Sequence, residues 1–77
     1  MNANVTKENI KVKAGQVWKD LDKRQNGKRY VKVLEVRDGK AVAVLCSKSG
    51  IVITFRQTRI SIARMHKHAS GYELVQQ

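Results

Sequence analysis

The sequence predicts an all-β fold: a small barrel of five strands with one short helical turn before the last strand. Three observations predict it. Short runs rich in Val, Ile and Tyr carry no long 3.6-residue stripe, which argues against helices. Glycines at Gly15, Gly27, Gly39 and Gly50 fall in polar clusters and recur every eleven or twelve positions, the turn spacing of small sandwiches and barrels. The segments between them are unlike one another, so the glycine spacing marks turns and not a sequence repeat. The chain of 77 residues has room for one domain only.

Taken in order, residues 1–9 are expected to form a flexible tail and 10–77 the domain. Gly15 to Asp22 reads as a first strand, with Val17, Lys19 and Leu21 on one face and Trp18, Asp20 and Asp22 on the other. A basic loop, Lys23 to Arg29, follows. Asp38-Gly39 between two β-like runs suits a two-residue type I′ turn, in which both central residues need positive φ. That turn sets Val36 opposite Ala41, Leu34 opposite Ala43, Val33 opposite Val44 and Val31 opposite Cys46. A four-residue loop over Ser47–Gly50 would then set Cys46 opposite Ile51, Val44 opposite Ile53 and Val42 opposite Phe55. Both turns converge on one apolar face of Val31, Val33, Val42, Val44, Cys46, Ile51, Ile53 and Phe55, which is expected to point inward. Glu35 lies on that face in strict register, so a bulge or sharp bend is expected near it. Thr58 to Met65 either continues the fourth strand or closes in a helical turn capped by Ser61. Tyr72 to Gln76 is a short last strand.

Strand, long loop, three-strand meander, helical turn and final strand is a layout that resembles SH3-like small barrels, the group that includes Tudor and KOW domains. The resemblance spans about residues 14–76 and implies a reader of nucleic acids or peptides. The run Gly15-Gln-Val-Trp18-Lys-Asp20-Leu-Asp22-Lys-Arg24, with Gly71-Tyr72-Glu-Leu74-Val75, is also similar to small proteins carried by bacteriophages and prophages. That similarity implies a bacterial cytoplasm. The same Gly-x-Val-Trp opening before a basic loop resembles plasmid-maintenance toxin ribonucleases. Their loop is followed by an Arg-Pro pair, whereas this chain has Lys28-Arg29-Tyr30 and no proline.

Charge is the strongest compositional signal. Sixteen Lys and Arg against six Asp and Glu give a formal +10. No carboxylate occurs between Asp38 and Glu73. Such a surface concentrates polyanions around it, and ordinary small domains are best kept at a magnitude of about 2–8. Nucleic acid, RNA or DNA with weak sequence specificity, is the partner class this favours. The candidate contacts are Lys23, Arg24, Lys28 and Arg29 around the loop tip, Lys32, Arg56 and Arg59 on the strands, and Tyr30 as the aromatic placed to stack a base. Trp18 is the alternative stacker, though a tryptophan in so small a domain is more often core. The competing reading is a module that docks on an acidic protein or pairs with a second copy. Its surface would be Leu34, Val36, Leu45 and Val52, the apolar residues left on the outer face.

The chemistry candidates are weaker. Asp20 and Asp22 can point to one side of a strand and hold a cation, or can pair with Lys19, Lys23 and Arg24. The second reading is preferred, since no third acidic ligand lies nearby. His66 and His68 alternate, but a structural zinc site wants matched Cys or His pairs, and Cys46 is the only cysteine. Cys46 reads as a small core residue, and a lone cysteine fits a reducing cytosol. With no catalytic triad and no phosphate loop, the expectation is a non-catalytic domain without metal or cofactor. No apolar run approaches the ~18 residues that span a bilayer, so no membrane partner is expected.

Overall fold

The computed structural model describes residues 4–68 and 70–77. Its strands are β1 (Val17–Asp20), β2 (Tyr30–Arg37), β3 (Lys40–Cys46), β4 (Val52–Ser61) and β5 (Tyr72–Gln76), with 3-10 turns at Lys23–Gln25 and Ile62–Arg64. They form one antiparallel sheet in the order β4-β3-β2-β1-β5. The all-β class, the five strands and the helical turn before the last strand are therefore as expected. Both fates weighed for the segment after Thr58 occur in succession, since β4 runs to Ser61 and the 3-10 turn follows. Ser61 occupies the cap position without donating or accepting a side-chain capping bond.

The β2–β3 hairpin turns at Asp38 (φ 53°) and Gly39 (φ 74°), the paired positive φ values of a type I′ turn. Val36 faces Ala41 as that turn requires. The register then shifts by one between Val33 and Glu35, so Val33 faces Ala43, Lys32 faces Val44, Val31 faces Leu45 and Tyr30 faces Cys46. This corrects the expected pairings of Leu34 with Ala43, Val33 with Val44 and Val31 with Cys46. The cause is the irregularity anticipated at Glu35, a bulge that keeps the carboxylate out of the core. A single extra residue moves every side chain beyond it to the other face of the pair.

A larger correction concerns β4. Cys46 faces Val52, not Ile51; Val44 faces Gln57, not Ile53; Val42 faces Arg59, not Phe55. The Ser47–Gly50 turn closes through Gly50 N to Ser47 O (2.9 Å) and Ser47 N to Ile51 O (2.8 Å). Beyond it, the register jumps from Cys46–Val52 to Val44–Gln57, so Ile53, Thr54, Phe55 and Arg56 are spanned by Leu45 alone on β3 and bow out of the ladder unpaired with it. Ile51, Ile53 and Phe55, expected inside, are exposed at 69%, 64% and 80%. Their place in the core goes to Ile60, which pairs with Ala41, and to Ile62 in the turn that follows.

The core gathers Val12, Trp18, Val31, Val33, Ala41, Ala43, Ile60, Ile62, Met65 and Tyr72. Trp18 is fully buried in this cluster and so is no stacking surface. Val17, Val42, Val44 and Cys46 are buried as well, outside this cluster. By alternation, Val42, Val44 and Cys46 occupy the other face of β3 from Ala41 and Ala43. Gly50 backs onto Val17 there; a Cβ at Gly50 would stand 3.3 Å from the valine methyl.

One buried side chain ties the N-terminal segment down. Gln16 Oε1 accepts from Trp18 Nε1 (3.1 Å) and from Lys13 N (3.0 Å), while Gln16 Nε2 donates to Lys11 O (2.9 Å). Of the segment expected to form a tail, residues 1–3 lie outside the described residues. From Asn4 the chain makes a hydrogen-bonded turn in which Val5 bridges Lys11 and Thr6 is buried. At the far end, Gly71 leads into β5 where any side chain would collide with the carbonyl oxygen of His66.

Candidate functional site

The basic loop is built on two carboxylates. Asp22 caps the first 3-10 turn by accepting from Arg24 N (2.9 Å), and its Oδ2 receives Arg24 Nη2 at 2.8 Å. The Arg24 side chain, then its backbone N–H, holds the Asp22 carboxyl down at about 2. Asp20 is buried under the loop, accepting from Asp22 N (2.9 Å) and from Arg29 Nη1 (2.8 Å). Of the two uses weighed for these aspartates, the structure displays ion pairing, with Arg29 as a partner the sequence did not suggest. Tyr72 faces Asp20 across the β1–β5 ladder; burial first, and then the Asp20 charge, pushes its phenol up.

The other cations are largely free. Ion pairs occupy Arg24, Arg29, Arg37 and, at 4.0 Å, Lys67. Among the described residues, no other Lys or Arg has a carboxylate partner within ion-pair distance. Three surface clefts involve β4, two of them at its bowed part. Lys28 and Arg29 line the first, of about 320 Å³, with Leu45 and Ile53. Arg29 and Arg56 line the second, of about 470 Å³, with Leu45, Thr54 and Gln57. Arg59 lines the third, of about 400 Å³, with Arg37, Lys40, Gln57 and the acidic Glu35 and Asp38. The first two clefts share Arg29 and Leu45, and the last two share Gln57. Through these shared residues the clefts follow one another along β4, the third opening across β2 and β3 as well.

Lys28, Arg29, Arg56 and Arg59, four of the residues singled out from sequence, thus come together along this run. Lys23 and Arg24 are exposed on the loop, outside the clefts, with Arg24 committed to Asp22. Tyr30 is half-buried opposite Cys46, and Lys32 is half-buried with its Nζ 3.5 Å from Gly50 O. The alternative apolar surface is dispersed. Leu34 is exposed, Val36 packs against the core, Leu45 is half-buried in the clefts, and Val52 is half-buried. Sequence reasoning missed the exposed apolar side chains of Ile51, just before β4, and of Ile53 and Phe55 within it. The available signal was the second alternating run, Ile60 and Ile62, which offered β4 a rival way to fill the core.

His68 N donates to His66 Nδ1 at 3.2 Å, and the two rings lie 5.1 Å apart. No group of three or more His, Cys, Asp or Glu suited to a metal occurs among the described residues. Burial pushes the Cys46 thiol up. No helix among the described residues is long and apolar enough to cross a membrane. No protein-family model matches the chain, and no curated protein or solved structure matches it.

Proposed function

We propose that this chain is a non-catalytic nucleic-acid-binding domain that reads RNA or DNA with weak sequence specificity. The carrying observation is the run of three clefts along β4, in which Lys28, Arg56, Lys40 and Arg59 face solvent with no carboxylate partner. Cations spaced along an open groove suit a string of phosphates better than a compact anion. The formal +10 adds long-range attraction that speeds encounter. The order β4-β3-β2-β1-β5 of one antiparallel sheet is compatible with an SH3-like reader, and on the sequence resemblance to phage-borne proteins we assign the role to a bacterial cytoplasm. Fluorescence anisotropy with labelled RNA and DNA oligonucleotides tests it. The affinity should fall with salt at a log–log slope of about −0.7 to −0.9 for each phosphate contacted. Absence of binding to every oligonucleotide at about 50 mM salt overturns the reading.

A second reading has its own observation. Ile53 and Phe55 are exposed on an edge strand, with Ile51 exposed just before it, and an edge strand can accept a strand from a partner. An acidic protein is the partner this fits, since a second copy would bring the same cations together. A pull-down from lysate with and without nuclease separates the two readings. Partners retained after nuclease support the protein.

A further inference from the structure

Among the exposed large hydrophobic residues, Phe55 is the most exposed, in a chain whose aromatics amount to one Phe, one Trp and two Tyr. The other three are fully buried, half-buried or buried: Trp18, Tyr30 and Tyr72 respectively. Phe55 is thus the one aromatic whose ring stands mostly in solvent. It sits in the bow of β4, where Ile53 to Arg56 have no partner in the β3–β4 register. Its neighbours along the strand, Thr54 and Arg56, line the cleft that Arg29 also lines, and Ile53 lines the adjoining cleft with Lys28. Phe55 lines none of the clefts itself; by alternation its ring shares the side of Ile53, beside the cleft whose charged walls are Lys28 and Arg29.

We propose that Phe55 is a base-stacking platform, so that the domain prefers single-stranded nucleic acid to duplex; this rests on the nucleic-acid reading above. In a single strand each base has an unstacked face to offer and a phosphate on either side of it. The ring takes the base, and the unpaired Lys28 and Arg56 take the flanking phosphates. Paired bases inside a duplex present no free face, so the duplex is held by the cations alone. Charge complementarity selects this occupant over a second copy of the chain, whose β4 would bring its own Arg56 and Arg59 to the contact.

The test compares the wild-type chain with Phe55→Ala, Phe55→Leu and Phe55→Trp. Anisotropy is measured on single-stranded RNA, single-stranded DNA and the matching duplex, each about ten nucleotides long, within the site sizes of small barrels. Wild type should prefer the single strands. Phe55→Ala and Phe55→Leu should weaken single-strand binding by roughly five- to a hundredfold, the loss of one stacked base. The single-strand preference collapses with it, and Phe55→Trp keeps it. The RNA and DNA arms show which sugar the site favours. Circular dichroism shows that each variant is folded. Binding that is equal for single strand and duplex, or unchanged in Phe55→Ala, overturns the platform and leaves the nucleic-acid reading standing. A Phe55→Leu variant that binds like wild type also overturns it, by showing that the position needs only apolar bulk. No binding to any oligonucleotide by wild type overturns both.

Discussion

At the scale of the residue, Asp22 shows how this chain uses its few acids. Its carboxylate closes the first turn of the basic loop and neutralises Arg24 next to Lys23 and Lys28. Arg24 holds its folded-state value at about 2, below the ordinary 3.8. A lowered value means that the ionised form is the one the fold prefers. The stabilisation is therefore complete above the ordinary value and is lost as pH falls from there through about 2. An NMR titration should place the Asp22 midpoint near that lower figure. Asp22→Asn should flatten the corresponding part of the acid-unfolding curve; a midpoint at the ordinary carboxylate value would contradict the capped geometry. Aspartate followed by a basic run was visible in the sequence, and so was the Asp22–Arg24 pair. The Asp20–Arg29 pair was not, because it spans the loop and depends on Asp20 being buried.

At the scale of the element, β4 divides into an inner half that holds the core and an outer half that stands off it. Ile60 is buried opposite Ala41, and Ile60→Ala should cost about 2–5 kcal/mol in chemical denaturation. Ile53→Ala and Phe55→Ala should change stability by no more than about 0.5 kcal/mol, as surface substitutions do. Equal losses at the two ends would mean that the bow is packed after all. The same strand marks where sequence reasoning ends. Asp38-Gly39 was legible because its conformation is chemically demanding, and Glu35 betrayed the bulge by its charge. Neither reveals what the bulge does, which is to move Val31 and Val33 across the hairpin from Val44 and Cys46. The apolar alternation of Ile51, Ile53 and Phe55 looks the same on an exposed lip as in a buried face. Only the competition from Ile60 and Ile62 for the core decides between them, and that is a tertiary question.

At the scale of the whole molecule, sixteen cations share a body of 33 × 24 × 19 Å. Much of that body lies within two screening lengths at 0.1 M salt, since each is about 10 Å. The folded state thus carries a standing self-repulsion that denser salt relieves. The melting temperature should rise between low salt and about 0.5 M sodium chloride, where the screening length has shrunk to a few ångströms. A melting temperature indifferent to salt would show that the cations lie too far apart to repel one another. The charge itself was fully legible from composition. Its arrangement was not, because Lys28, Arg29, Arg56 and Arg59 meet only once β4 has bowed beside the loop.

The buried thiol of Cys46 has a practical consequence. It is the only cysteine in the chain, it is 1% exposed, and burial keeps it protonated. A cysteine introduced at Thr54 would therefore be the only thiol open to a maleimide at neutral pH. A fluorophore can be seated at the rim of the clefts without first removing any native residue, and occupancy of the groove followed directly by its emission.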